Sequence, residues 1–250
     1  MHDIINPIDP SRVRMVWQSV NGADRNKYHV GDLIRAGGSV ALFYRLSEPD
    51  FASATKAGFM GYPAFSHKVP VHHANVLELL TRRLPPRNRS DYKAFLYKNG
   101  LGNFPGISDF AMLGYSGARL PGDGFTFEID FSIERPPFQF FSEISGFRYY
   151  DGMHMDMENL RGQPTLLIPE PNNIYDAQAI QVFVQGKKIG YIPRTQAPLF
   201  KTWLSTNPVM AIVSRIEGPP ARPLVFLYVA VGSPHAPSAL LPSNLNALLG

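Results

Sequence analysis

The five residues Asn172-Asn173-Ile174-Tyr175-Asp176 place two amides, a phenol and a carboxylate directly ahead of an alternating apolar run, AIQVFV. Asn and Asp side chains bond their own backbone a residue or two on, so the group can be an Asx-type turn feeding a strand. Turned outward, the same side chains can grip a ligand by hydrogen bonds, with the phenol ring as a flat contact face. On the local residues alone both readings stand: Tyr175 is a core tyrosine or a contact, and Asp176 a turn cap or a ligand acceptor.

A second concentration of chemistry is basic. Arg82, Arg83, Arg87, Arg89 and Lys93 surround a Pro85-Pro86 junction between two helical patterns. Such a cluster can extend a nucleic-acid track or dock an acidic partner. It can equally be a solvated helix end, where Arg82 and Arg83 suit the negative end of the helix dipole. His67, His72 and His73 lie close in sequence without the Cys or acidic spacing of a metal centre, and Met153 to Met157 (MHMDM) reads as a loop, so no metal is expected. Signatures of catalysis are missing: there is no G-x-S-x-G, no H-E-x-x-H and no kinase catalytic or phosphate loop. Ser116 in LGYSGA follows a helical pattern rather than a strand and reads as a turn residue, while Glu128, Asp130 and Glu134 recur at even spacing like the outer face of a strand. The expectation is a protein that is not an enzyme and uses no cofactor.

Bulk properties narrow the class. The chain has 250 residues, 44% hydrophobic and 18% charged, enough for one large or two small domains. There are no cysteines, which removes disulfides, thiolate metal sites and cysteine nucleophiles and fits a reducing compartment. The N-terminus carries acids and no apolar run, and no stretch reaches the length of a membrane span, so a cytoplasmic protein without a membrane role is expected. A net charge of +4 permits an acidic partner without requiring one.

The elements that must position these residues follow from periodicity. Val13 to Val20 and Ser39 to Leu46 read as strands, with a short strand or turn, YHVGDLIR, between them. Ala74 to Arg83 places Val76, Leu77, Leu80 and Leu84 at helical spacing behind Asn75 as a cap. Further helices are predicted from Ser90 to Gly100 and from Ser108, and an alternating strand over Phe125 to Ile133. Glu134 to Phe141, with its paired prolines, reads as a linker. Beyond it, SGFRYY, QPTLLIPEP, AIQVFVQ, KKIGYIP, VMAIVSRIEG and RPLVFLYVAV read as strands, interrupted by one amphipathic helix over Thr195 to Thr206. Short strands with one small helix indicate a compact barrel or half-barrel.

The second half resembles the HIRAN domain family over roughly residues 144–231. The resemblance rests on Gly146-Phe147-Arg148-Tyr149-Tyr150, on Glu170-Pro171-Asn172-Asn173-Ile174-Tyr175-Asp176-Ala177-Gln178-Ala179-Ile180, and on Lys188-Ile189-Gly190-Tyr191-Ile192-Pro193-Arg194. It implies a small OB-like β-barrel that captures the 3′ end of single-stranded DNA. By position it implies contacts from Arg148, Tyr149, Asn172, Asn173, Tyr175, Asp176, Tyr191 and Arg194, position 191 being Tyr where helicase-attached members can carry His. The implied chemistry is consistent: bases stack on tyrosine faces for on the order of 1–3 kcal/mol each, and arginines neutralise phosphates. Asp176, which phosphate would repel, suits a terminal 3′-hydroxyl.

The first half resembles the N-terminal subdomain of HipA-type Ser/Thr kinases and the HipS-like antitoxins, and the leading region of bacterial HIRAN proteins associated with HipA-like kinases. The residues that carry this are VWQS…YHVGDLIR…VALFYRL with GYPAF, and the run LELLTRRLPPRNRSDYKAFLYKNGL. The organisation expected is therefore an α+β domain over 1–136, a mainly-β HIRAN-type barrel over 140–235, and a flexible or docking tail over 236–250. The function expected is a DNA-binding accessory protein. The alternative is an antitoxin-like or targeting partner of a HipA-type kinase.

Overall fold

The computed structural model describes residues 2–20, 24 and 26–232, and the expected tail over 236–250 lies outside them. The chain is mixed α/β and divides into two compact units: Met1–Arg135 with Arg194–Gln196, and Pro136–Pro193 with Ala197–Gly250.

The first unit is built on a five-stranded antiparallel sheet. Its elements are β1 (Arg12–Gln18), β2 (Lys27–Ala36), β3 (Ser39–Tyr44), α1 (Pro49–Lys56), β4 (Val71–His72), α2 (Val76–Thr81), α3 (Tyr92–Lys98), α4 (Asp109–Ser116) and β5 (Phe125–Ile129). The sheet order is β4-β3-β2-β1-β5. The segment YHVGDLIR lies inside β2, a ten-residue strand. Alternation sends Val13, Met15, Trp17, Val30, Leu42, Phe125 and Phe127 into one core with Phe51, Leu80 and Phe110 of the helices. Ser108 caps α4 by accepting from the Ala111 amide at 3.0 Å. Asn75 does not cap α2: it takes the left-handed conformation and its side chain makes no cap bond. The alternating strand ends at Ile129, because Asp130 turns back to cap a short 3₁₀ turn, Phe131–Ile133, through the Ser132 amide. Ser116 closes α4, donating from its hydroxyl to the Met112 carbonyl at 2.6 Å.

The second unit is mainly β. It contains β6 (Phe138–Glu143), α5 (Met157–Leu160), β7 (Leu166–Pro169), β8 (Ile180–Val184), β9 (Lys187–Tyr191), α6 (Ala197–Thr206), β10 (Val209–Glu217) and β11 (Leu224–Val231). Two readings from sequence are corrected here. Half of the predicted linker is strand β6, whose Phe138 and Phe140 are buried against Phe200 and Trp203 of α6. SGFRYY is not a strand: Gly146, at φ 77°, turns the chain into a 3₁₀ turn over Phe147–Tyr149.

The strands form two three-stranded antiparallel sheets, β10-β11-β6 and β7-β8-β9, and neither closes on itself. Short hydrogen-bonded seams join them at both sides, through the bridges Ser145↔Tyr191 and Pro164↔Ile212. Among the described residues no helix is long and apolar enough to cross a membrane.

Candidate functional site

The candidate site grows from an irregularity in β9. In a regular strand, residues three apart point to opposite faces. Here Val182 of β8 pairs with Gly190, but Phe183 pairs with Lys188, so Ile189 is an extra residue in β9. This bulge reverses the alternation and brings Lys188 and Tyr191 to one face. Gly190 makes it possible. Its φ is +145°, and a Cβ there would lie 2.4 Å from Ile144 Cγ2 and 2.6 Å from the Ser145 carbonyl. The close crossing lets Ser145 and Tyr191 exchange backbone hydrogen bonds at 2.8 and 2.9 Å.

That crossing delivers the Arg148-Tyr149-Tyr150 turn to the site. Phe147 is buried and anchors it. The Tyr150 ring meets the Tyr191 ring edge-on at 5.6 Å. The Lys188 ammonium lies 4.6 Å from the Tyr150 centroid and 4.1 Å from that of Tyr191. Arg148 lies over the neighbouring Tyr149 ring at 4.5 Å and donates to its hydroxyl.

The third segment is the loop between β7 and β8. Asn173 is its keystone. Its Oδ1 accepts from the amides of Tyr175 (2.9 Å) and Asp176 (3.0 Å), and its Nδ2 donates to Glu170 at 2.6 Å. Asp176 Oδ1 accepts from the Gln178 amide at 2.8 Å. The turn chemistry is therefore real. It does not bury Tyr175, which is 90% exposed, beside Ile174 at 86%. Tyr149 on the preceding segment is 68% exposed.

Glu170 ties the segments together. Its carboxylate accepts from Asn173 Nδ2, from Gln181 Nε2 at 2.7 Å and from the Tyr191 hydroxyl at 2.8 Å. The Asn173 and Tyr191 bonds hold the Glu170 carboxyl below its ordinary range. Burial, reinforced by the bond to Glu170, pushes the Tyr191 phenol up, so it keeps the proton it donates. Lys188 in turn donates to the Tyr191 hydroxyl.

Of the residues expected from sequence, the structure joins Asn173 and Tyr191 directly, with Tyr175 and Asp176 held by Asn173 and with Arg148 and Tyr149 on the turn that Tyr150 ties to Tyr191. Asn172 is exposed on the same loop. Arg194 is placed otherwise. It belongs to the first unit, where it pairs with Asp50 at 2.8 Å and lies over Tyr28. Sequence reasoning missed Glu170, Tyr150, Lys188 and Gln181 as parts of the network. A glycine inside a strand pattern, the usual mark of a bulge, was the available signal for Lys188.

The four arginines of the basic cluster resolve into paired charges. Arg83 faces inward: its side chain is 3% exposed, it grips Asp123 with both guanidinium nitrogens, and it donates to the Ala118 carbonyl. Arg87 pairs with Asp109, Arg89 with Asp91 and Arg82 with Glu78, and Lys93 lies over Tyr97. The five residues thus form no continuous free basic patch. His67 and His72 donate to the carbonyls of Met60 and Ser66. No group of three or more His, Cys, Asp or Glu among the described residues could hold a metal ion.

Comparison with known proteins matches the stretch of chain in which these residues lie. The HIRAN domain family model matches residues 137–230. The match begins at residue 137, so the resemblance of the first 136 residues to HipA-type kinases finds no support in it. The crystal structure of the HIRAN domain of human HLTF is similar at 19% identity, covering 38% of this chain and 77% of that one, with a TM-score of 0.29. The crystal structure of a protein from Lactobacillus plantarum is similar at 27% identity, covering 36% of this chain and 91% of that one, with a TM-score of 0.30. No curated protein matches the chain.

Proposed function

We propose that the second unit is a HIRAN-type, OB-like module that binds single-stranded DNA at a 3′ end, and that the protein is a non-enzymatic nucleic-acid-binding accessory. One observation carries this reading: two tyrosine rings, Tyr149 and Tyr175, stand 68% and 90% exposed on turns braced from beneath. Folding gives no reason to hold aromatic surface in water, whereas stacking a base on such a ring is worth on the order of 1–3 kcal/mol. The two seams that link the sheets support the barrel reading, since they complete a circuit through all six strands.

Arg148 supplies a cation with no carboxylate partner among the described residues, suited to a phosphate. Arg194 is engaged with Asp50, so the proposal leans on Arg148. Asp176 has a divided role. One oxygen caps the Gln178 amide, and Oδ2 has no partner among the described residues. A carboxylate oxygen accepts from a terminal hydroxyl and repels a terminal phosphate, which gives a preference for a 3′-hydroxyl end.

The test is fluorescence anisotropy with a labelled oligonucleotide ending in a 3′-hydroxyl and its 3′-phosphorylated twin. The first binds and the second binds much less, and Tyr175→Ala loses at least about fivefold in affinity, the lower end of one base stack. Equal, salt-sensitive binding to both oligonucleotides refutes end recognition.

A further inference from the structure

We infer that Lys188 is a phosphate-binding residue, held without a direct ion pair in a cage made by Tyr150 and Tyr191. This rests on the single-stranded DNA reading above and adds a contact to it.

The argument begins with the carboxylate nearest the lysine network. Glu170 is the acid from which Lys188 would take an ion pair. Three neutral donors already occupy it: Asn173 Nδ2, Gln181 Nε2 and the Tyr191 hydroxyl. Lys188 acts on Glu170 through space and makes no hydrogen bond to it; the bonded path runs through the Tyr191 hydroxyl, which accepts from the ammonium and donates to Glu170. Lys188 makes no ion pair among the described residues, unlike Arg82, Arg83, Arg87 and Arg89, each of which has its own carboxylate.

What holds the ammonium is aromatic. It sits 4.6 Å from the Tyr150 centroid and 4.1 Å from the Tyr191 centroid. Ring faces attract a cation without cancelling its charge. An ammonium has three N–H donors, and the Tyr191 hydroxyl takes one. The other two remain for an anion. The bulge at Ile189 is what turns this side chain to the face that carries Tyr191, and Tyr150 arrives on the turn that carries Arg148 and Tyr149. Fixing the cation in the cage reduces the side-chain entropy lost when a phosphate binds. A single strand stacked on the exposed tyrosines therefore meets Arg148 and Lys188 as two separate phosphate contacts.

The experiment is the salt dependence of binding of a single-stranded oligonucleotide by the full chain, compared with Lys188→Gln and Lys188→Arg. One phosphate contact contributes about 0.7 to the slope of log K against log salt for single strands. Lys188→Gln should be shallower by about that amount, so that between about 50 and 200 mM salt it loses roughly 2.6-fold less affinity than the parent. Lys188→Arg, which keeps the charge, should retain the parent slope. A merely structural lysine would lower affinity at all salt concentrations with the slope unchanged, and that result overturns the inference. A lower melting temperature in Lys188→Gln does not obscure the outcome, because the slope is read on the folded fraction and Lys188→Arg provides the control. If the parent chain binds no oligonucleotide, it is the DNA reading that fails. If it binds and Lys188→Gln keeps its slope, Lys188 alone is wrongly assigned.

Discussion

Asp176 can be made to separate its two roles by a change of one atom. Asp176→Asn keeps Oδ1, which accepts from the Gln178 amide at 2.8 Å, and replaces Oδ2 by an NH₂ group. The turn survives, because an amide nitrogen turned toward Gln178 N–H would set donor against donor, and Asn forms Asx turns as readily as Asp. The acceptor for a terminal hydroxyl does not survive. A hydrogen bond to a charged group is worth about 1.5–3 kcal/mol, so the lost bond corresponds to roughly tenfold to a hundredfold in affinity. Removing a negative charge near phosphates strengthens nonspecific binding at the same time. The quantity to read is therefore the ratio of affinities for 3′-hydroxyl and 3′-phosphate oligonucleotides, measured by anisotropy at fixed salt. That ratio should collapse toward one in Asp176→Asn while the melting temperature stays at the parent value. Asp176→Ala should show the same collapse together with about 1 kcal/mol of lost stability from the missing cap. If Asp176→Asn keeps the parent ratio, the carboxylate serves only its own backbone and the end-recognition argument is wrong.

Four further outcomes are expected. Arg83→Met leaves Asp123 and the Ala118 carbonyl without their partner and should destabilise the first unit by about 3 kcal/mol in chemical denaturation, since Asp123 is 28% exposed and can partly rehydrate. Arg82→Ala, whose pair with Glu78 is exposed on both sides, should change stability by less than about 0.5 kcal/mol. Gly190→Ala forces a Cβ into Ile144 and the Ser145 carbonyl at a φ of +145° and should cost about 2 kcal/mol or more, with oligonucleotide binding lost as Tyr191 shifts; parent-like binding would show that the bulge does not position the site. Asp130 gives the pH dependence. Burial pushes its carboxyl up, but Arg14 and Ser132 outweigh burial and hold it below the ordinary 3.8. A depressed folded value means the stabilisation is complete above 3.8 and is lost as pH falls through the folded value. Denaturation followed from about pH 5 to about pH 2 should show that loss in the parent and a flatter curve in Asp130→Asn.

The parts of the fold that could be read from sequence are those set by local periodicity. AIQVFV alternates and became β8, and Ala197, Phe200 and Trp203 lie on the buried face of α6 as their spacing requires. SGFRYY misled because its aromatic residues imitate strand alternation. The decisive residue was Gly146, whose left-handed conformation starts a 3₁₀ turn instead. The Pro136-Pro137 pair concealed β6, since prolines at the start of a strand do not prevent the strand that follows. At the site, the Asx turn was legible, because Asn173 acts on residues two and three positions away. The Glu170 network was not: Gln181 and Tyr191 reach it from 11 and 21 residues away, across strand pairing that no local pattern encodes. The basic cluster was legible in part: Arg82–Glu78 and Arg89–Asp91 are local pairs, whereas Asp123 lies 40 residues from Arg83 and Asp109 lies 22 from Arg87. Partners that fold in from a distance are not encoded in the local pattern.

Asn173 has a kinetic consequence. One side-chain oxygen fixes two successive amides, and Glu170 fixes Asn173 in turn, so the loop that displays Tyr175 is ordered before any ligand arrives. The ordering cost of an encounter then falls on the oligonucleotide rather than on the protein. Association should be fast and steered by charge, slowing as salt is added. Differences among strands and among variants should lie in how long the complex lasts.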